Sequence, residues 1–302
     1  MQRVIDSISE QLAQSGDQVR RLFHGRGGLF EGLEWLVIDW LPPVAVIRVY
    51  ASEVPQPLDP VVEHLMAQSQ VGGVVLQLRG RGREAQSEVL AGDVPEKLVV
   101  EELGLRYQVR PLQNQNSGLF LDMRPGRAWV RDNASGARVL NLFAYTCAFS
   151  VAAMAGGAQS VVNLDMSSGA LSVGRRNHQL NGIAGDAITY MALDLLRSWS
   201  RVRRQGPYDL ILIDPPSFQP GSFVAERDYR KVLRRLDELT LSGSRVLACH
   251  NDPGHSEMFL REMMASEAPG FEFQQRLPLA EGFPERNPEQ GLKALLYKRV
   301  DA

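Results

Sequence analysis

From residue 138 onward, short apolar runs alternate with segments of helical spacing, and few folds accept that pattern. Residues 139–144, 160–166, 187–194, 208–216 and 244–251 read as strands. Residues 147–155, 168–182, 195–206, 225–243 and 255–268 read as the helices between them. Two more strand candidates follow at 271–279 and 292–300. Several strands are near-continuous Val/Ile/Leu runs, as expected of parallel strands buried on both faces. Strands alternating with helices make a doubly wound α/β sheet. Such a sheet binds ligands beyond the carboxyl ends of its strands.

Residues 1–112 have a different character. Val4, Ile8 and Leu12 mark a first helix at i, i+4 spacing. An apolar stretch from Leu33 to Ala51, broken by Pro42-Pro43, reads as two strands joined by a turn. Asp59-Pro60 starts a helix, with the acid as its cap. Residues 73–79 and 87–92 read as strands, and 98–110 as a hairpin turning at Gly104. A small strand-rich α/β domain over 1–112 is therefore expected, followed by the larger α/β domain over 113–302. The small domain is a candidate for substrate or RNA binding.

Composition excludes other classes. Lys+Arg total 33 and Asp+Glu 35, a net charge of −2, so the chain is no bulk polycation and any nucleic acid must meet a local basic face. No run of about 18 apolar residues could cross a membrane, and no membrane partner is expected. The acid-bearing N-terminus lacks the apolar core of a signal peptide. Two cysteines, Cys147 and Cys249, make no disulfide framework, and a reducing cytoplasm is the expected setting.

The strand ends carry the chemistry. They are Asn141-Leu142-Phe143-Ala144-Tyr145-Thr146, Asp165, Asp194, and Asp214-Pro215-Pro216. One such acid would be read as a helix cap; three in succession point to a ligand. The first loop lacks G-x-G-x-x-G, whose glycines let backbone approach a pyrophosphate, which disfavours a nicotinamide cofactor.

The segments 118–127 (GLFLDMRPGR), 139–151 (VLNLFAYTCAFSV), 160–167 (SVVNLDMS), 175–182 (RRNHQLNG), 210–218 (LILIDPPSF) and 226–233 (ERDYRKVL) occur in that order. Together they closely resemble the S-adenosylmethionine-dependent methyltransferases of bacterial large-subunit ribosomal RNA, a group that includes makers of 5-methylcytosine and 7-methylguanine. The resemblance implies a Rossmann-like class I methyltransferase domain with a mostly parallel seven-stranded sheet, its last strand antiparallel. It implies S-adenosylmethionine as cofactor and ribosomal RNA as partner. By position, Asn141, Phe143, Tyr145 and Thr146 match the loop around the methionine end of the cofactor. Asp165, with Met166 beside it, matches the acid on the ribose, and Asp194 the group reading the adenine amine. Asp122 and Arg124 match a segment that abuts the cofactor loop. Asp214, Pro215, Pro216 and Phe218 match the methyl-transfer site. The family has glycine where this chain has Cys147, whose side chain is expected to narrow the loop and face the methionine moiety.

Methyl transfer is an in-line displacement that relies on holding the acceptor aligned. Guanine N7 offers a lone pair directly, whereas cytosine C5 needs a thiolate added at C6. Cys249 ends the fifth strand but sits in Ala248-Cys249-His250, with no Ser-Cys-Ser run. Guanine N7 is thus the favoured acceptor, and cytosine C5 the alternative. A small-molecule or protein acceptor, or a non-catalytic RNA-binding module, are the rival functions. Cys249, His250, Asp252 and His255 fit no standard zinc spacing, and no metal is expected. Basic residues cluster at Arg20, Arg21, His24 and Arg26, at Arg79, Arg81 and Arg83, at Arg197, Arg201, Arg203 and Arg204, and at Arg227, Arg230, Lys231, Arg234 and Arg235. Each cluster is either a solvated face balanced by acids or a phosphate contact. Phe218 and Phe223 could stack on a base or anchor a loop.

Overall fold

A computed structural model describes residues 1–79, 86–113, 116–219 and 223–300. The chain divides into two compact units: Met1–Arg124 with Ala280–Pro288, and Pro125–Leu279 with Glu289–Ala302.

In the first unit, α1 (Gln2–Ser15) and α2 (Asp59–Met66) accompany a five-stranded sheet of β1 (Arg20–His24), β2 (Leu36–Leu41), β3 (Val44–Val49), β4 (Gly73–Leu78) and β5 (Gln86–Gly92). The strands lie in sequence order, and only β3 and β4 run parallel. Val4, Ile8 and Leu12 of α1 are buried in one core with Val61 and Leu65 of α2 and with Leu36, Ile38, Trp40, Ala45, Ile47 and Val49 of the sheet. In β2 the alternation of side chains sends Leu36, Ile38 and Trp40 into that core. Asp39 is buried too, on the opposite face, where Arg48 and Gln77 join it through their side chains. Asp59 is the first helical residue of α2 rather than its cap, because Pro60 sits comfortably one residue further in. A separate hairpin, β6 (Leu98–Glu102) and β7 (Leu105–Val109), turns where expected. Its central residues Leu103 and Gly104 both have positive φ, 55° and 75°, the geometry that matches the twist of two-residue hairpins.

The second unit, from Pro125, begins within α3 (Arg124–Asn133), a helix not expected from the sequence. Proline is tolerated in a first helical turn, where its missing N–H has no intrahelical partner to lose. There follow β8 (Arg138–Leu142), α4 (Ala148–Ala155), β9 (Ser160–Asp165), α5 (Ser168–Leu180), β10 (Ile188–Ala192), α6 (Trp199–Gln205) and β11 (Tyr208–Ile213). A short ribbon of β12 (Phe218–Gln219) and β13 (Phe223–Val224) precedes α7 (Ala225–Leu233), α8 (Leu236–Leu239), β14 (Thr240–His250), α9 (Glu257–Glu267), β15 (Phe271–Arg276) and β16 (Lys293–Arg299). The sheet order is β10-β9-β8-β11-β14-β16-β15. β10, β9, β8, β11 and β14 are parallel, and β16 is antiparallel to both its neighbours. The order reverses between β8 and β11, which is the switch point where such sheets hold ligands.

Two long helices expected from the sequence are broken. Residues 195–206 form a 3₁₀ turn over Leu195–Arg197 and then α6. Residues 225–243 stop at Leu233, resume briefly as α8, and enter β14 at Thr240, earlier than expected. Gly243, at φ 81°, lies in the irregular stretch between the Tyr208–Thr240 and Leu210–Arg245 pairings, where four residues oppose Asp209 alone. The expected change of domain at residue 112 also differs from the packing. The first unit runs on to Arg124 and takes back 280–288, where Arg20 pairs with Glu281 at 3.2 Å and Arg21 lies 4.0 Å from the centre of the Phe283 ring.

Candidate functional site

The loop after β8 holds an uncommon backbone. Phe143, Tyr145 and Cys147 all have positive φ, at 58°, 46° and 60°. Left-handed non-glycine residues cost free energy and persist only where neighbours over-determine them. Here the Ala144 amide donates to Leu164 O at 3.0 Å, Tyr145 N donates to Asp165 Oδ2 at 2.8 Å, and Asn177 Nδ2 donates to Thr146 O at 2.9 Å. The loop is thus tied to the end of β9 and to α5.

Asp165 is central to this tie. Its Oδ2 takes the Tyr145 amide and its Oδ1 the Ser167 amide at 2.8 Å. A carboxylate offers about four lone-pair sites, so two further donors can still be accepted. Met166 beside it is 49% exposed, a large apolar surface at the mouth of the sheet. Asp194 caps the following 3₁₀ turn, its Oδ1 accepting from Leu196 N at 2.9 Å, while Oδ2 lies 3.3 Å from Arg197 Nε. The helix-cap reading of strand-end acids therefore applies to Asp194.

Asp214 is half-buried at the end of β11, with Pro215 buried and Pro216 exposed after it. The Tyr229 hydroxyl lies 3.3 Å from Ile213 O and 3.1 Å from Cys249 O, clamping the ends of β11 and β14 together. Ser217 Oγ donates to Asn251 O at 3.2 Å, a second link between the same strand ends. Phe223 is a buried anchor, its ring 5.0 Å from that of Phe143 and edge-on to it. It joins the first loop to the segment after Asp214-Pro215-Pro216 and is not open to a base. The Phe218 side chain, like Arg81 and Arg83, lies outside the described residues.

Two residues matched to the cofactor loop turn elsewhere. Asn141 is 1% exposed, and its Nδ2 donates to Asn163 Oδ1 at 2.9 Å. From there a buried polar chain runs through Asn163 Nδ2 to Ser150 Oγ (3.0 Å), Ser150 to His178 Nε2 (2.9 Å), and His178 Nδ1 to the Tyr190 hydroxyl (2.9 Å). Burial holds the His178 imidazole below its ordinary pKa, so it is neutral near pH 7. Cys147 is buried, its Sγ 3.9 Å from Tyr145 O of the same loop. Its Sγ packs on Gly174 of α5 so closely that a Cβ on Gly174 would lie 2.4 Å from the sulfur. The side chain is accommodated where Gly174 has no Cβ, and burial pushes its thiol far above the ordinary range. Asp122 and Arg124 belong to the first unit, where Arg124 Nη2 donates to Gln18 Oε1 at 3.1 Å.

Sequence reasoning missed Asn163, Ser150, His178, Gly174 and Tyr229. Ser150, Asn163 and His178 lie inside the quoted segments, and Tyr229 is marked by the helical spacing of Ala225, Asp228, Tyr229, Val232 and Leu233, all buried.

Near the end of β14, the ligand atoms of His250, Asp252 and His255 lie within 4.8 Å of one another. His250 Nε2 and His255 Nδ1 are 3.1 Å apart, and the His255 ring stacks on Phe259 at 4.0 Å. The buried Lys293 ammonium donates to Asp252 O at 2.7 Å and to Glu289 O at 2.9 Å, a fixed positive charge that opposes a cation here. Burial first, then Lys293 and His255, push His250 down to about 4.

The basic residues of α7 and of Arg234-Arg235 after it are matched by acids. Arg227 and Lys231 pair with Asp228 at 2.7 and 2.8 Å, Arg230 and Arg234 with Glu267, and Arg235 with Glu238 at 2.9 Å. This cluster is a balanced, solvated face.

A family model for S-adenosylmethionine-dependent methyltransferases matches residues 20–298. The chain is 31% identical over 229 residues to ribosomal RNA large subunit methyltransferase K/L of Psychrobacter sp., covering 72% of this chain and 28% of that protein. It is 32% identical over 192 residues to ribosomal RNA large subunit methyltransferase I of Aeromonas salmonicida, covering 62% and 48%. The chain thus spans between about a quarter and a half of the length of these curated relatives. Its fold resembles that of a Streptococcus mutans protein described as a SAM-dependent methyltransferase, with TM-score 0.85, 24% identity, and 98% and 81% of the two chains covered. The class I strand order, the tied loop after its first strand and the match over residues 20–298 together place this chain in the S-adenosylmethionine-dependent methyltransferase family.

Proposed function

We propose that the chain methylates large-subunit ribosomal RNA in the cytoplasm, with guanine N7 as the acceptor. The observation that carries the cofactor part is the Asp165 carboxylate: it takes two backbone amides and keeps acceptor capacity facing the loop it pins. In this reading, Asp165 accepts from the ribose hydroxyls and Met166 covers the adenine. The second oxygen of Asp194, shared with the exposed Arg197, stays open to the adenine amine. The loop of Phe143, Tyr145 and Thr146, left-handed at Phe143 and Tyr145, encloses the methionine end. Bound S-adenosylmethionine supplies an electrophilic methyl group on its sulfonium. Asp214, Pro215 and Pro216 hold the acceptor in line with it, the two prolines limiting backbone freedom.

The RNA part rests on the names of the relatives, which are ribosomal RNA large subunit methyltransferases K/L and I. The choice of N7 rests on Cys249. It is 1% exposed within β14, in register with Ala294 of β16. A base cannot reach a sulfur so enclosed, and C5 chemistry needs that attack at C6. N7 needs only alignment.

The test is transfer of a tritiated methyl group to an unmodified 23S ribosomal RNA transcript, with the product nucleoside identified by mass spectrometry. The expected product is 7-methylguanosine, and Cys249→Ala should retain transfer. A folded Cys249→Ala protein that binds cofactor but transfers nothing would move the assignment to cytosine C5. Methylation of a protein or small molecule, with none of RNA, would overturn the substrate class.

A further inference from the structure

The first unit contains an arginine cluster in which, among the described residues, Asp39 pairs with both Arg21 and Arg48 and Asp122 and Glu285 act on Arg21. Arg21, Asp39, Arg48 and Gln77 form a buried polar row across β1 to β4. Arg21 Nε is 2.5 Å from Asp39 Oδ1, Arg48 also pairs with Asp39, and Arg48 Nε donates to Gln77 Oε1 at 3.0 Å. One carboxylate thus serves two guanidinium groups. The row leads to the ends of the parallel strands β3 and β4, where Tyr50 and Arg79 follow.

Tyr50 is half-buried beneath two more arginines. The Arg26 guanidinium lies 4.1 Å from its ring centre, and that of Arg79 lies 5.7 Å away with Nη1 3.5 Å from the hydroxyl. Arg79 Nε is buried and has no partner among the described residues. Neither arginine forms an ion pair among those residues, unlike Arg227, Arg230, Arg234 and Arg235, which Asp228, Glu267 and Glu238 engage. Burial alone would raise the Tyr50 pKa, yet Arg79, Arg48, Arg21 and Arg26 together lower it, so the field at the hydroxyl is positive.

The sequence His24-Gly25-Arg26-Gly27 explains how Arg26 is presented. A Cβ on Gly25 would lie 1.9 Å from Leu33 O, and one on Gly27 1.9 Å from Pro284 O. The turn is clamped by backbone on both flanks, and Arg26 projects from it exposed. A guanidinium already covers the Tyr50 ring, so the cluster offers a ligand N–H donors and positive charge more than a stacking face. The chemistry that fits is a phosphodiester.

We propose that Arg26 and Arg79, laid against Tyr50, form a phosphate-binding cradle that grips the backbone of the RNA substrate. This rests on the RNA reading above. Each arginine contributes one contact that positions the RNA without reading its bases.

Arg26→Gln, Arg79→Gln and the double variant test it against an unmodified 23S transcript, with binding measured from 50 to 400 mM salt. Each single variant should reduce the slope of log K against log salt by about 1. The RNA KM should rise several-fold, with kcat and cofactor affinity retained. Arg79→Lys should keep most of the slope, because it keeps the charge. Arg230→Gln, whose arginine is ion-paired in α7, should bind like the parent. If the parent methylates RNA and the double variant matches it in slope and KM, the cradle is overturned and the RNA reading stands. If the parent neither binds nor methylates RNA, both fall. Thermal midpoints of all variants confirm that the fold is intact.

Discussion

At the residue scale, Cys147 and Gly174 show how one position is made possible by another. Cys147 occupies a left-handed position where glycine is the least strained choice. Its sulfur is fully buried against α5 at Gly174, where the helix has no Cβ. Gly174→Ala should therefore destabilise the protein even though alanine is the better helix former by about 1 kcal/mol. The overlap is with a buried, fixed side chain, and overpacking of this kind costs about 1–3 kcal/mol. Cys147→Gly should remove the clash, so the double variant should melt higher than Gly174→Ala alone. Additive effects in the denaturation cycle would show that the two residues do not share the space. The same contact adds what the sequence could not show, that the Cys147 sulfur is set against Gly174 of α5. A sequence says that a residue has a side chain, but not toward which helix it points.

At the element scale, the loop after β8 depends on β9 for its shape. Of its three left-handed residues, Tyr145 is held by Asp165, and the intervening Ala144 by Leu164, rather than by local preference. Asp165→Ala should consequently act twice. Loss of two amide acceptors should lower stability by about 1–3 kcal/mol. Cofactor affinity should fall by more than tenfold, because the ribose acceptor and the loop geometry go together. Calorimetry with S-adenosylhomocysteine and a denaturation curve on the same protein separate the two effects. Unchanged affinity in a folded variant would remove Asp165 from the cofactor site. Most elements were legible because strand and helix periods differ, as in the apolar run 208–213 against the spaced apolar residues of α7. The missed α3 and the break at residues 234–235 were illegible for a physical reason. Pro125-Gly126 and Arg234-Arg235 change their meaning with tertiary support, which Arg245 supplies to the end of α3 through Asn133.

At the scale of the whole molecule, buried histidines couple stability to pH. His24, His178 and His250 are all held below the ordinary histidine value, each chiefly by burial, with His250 at about 4. The unfolded chain binds protons near pH 6.5 and the folded chain does not. The stabilisation is therefore fully present above about pH 6.5 and is lost as pH falls toward the folded values. His250 alone should contribute a loss of roughly 3 kcal/mol between pH 7 and pH 4. The carboxylates act in a separate window. Glu267, held at about 2 by Arg234 and Arg230, keeps its contribution above about pH 4.5 and loses it only below. Thermal midpoints at pH 7, 6 and 5 should fall steadily, and His250→Gln should flatten that fall. A midpoint unchanged between pH 7 and pH 5 would show that these imidazoles are not buried as neutral groups.

The sequence by itself determined the layer architecture, the strand ends that carry Asp165, Asp194 and Asp214, and the family. Each of these is written in short-range period or in contiguous motif, and neither needs distant residues to be read. The tertiary structure decided what the side chains at those ends do. It turned Asn141 into a buried chain ending at Tyr190, made Asp194 a cap, and left Asp165 with spare acceptor capacity. It also returned residues 280–288 to the first unit, far from their neighbours in sequence. Such outcomes depend on which partner a polar group finds when it leaves water, and that partner is commonly tens of residues away.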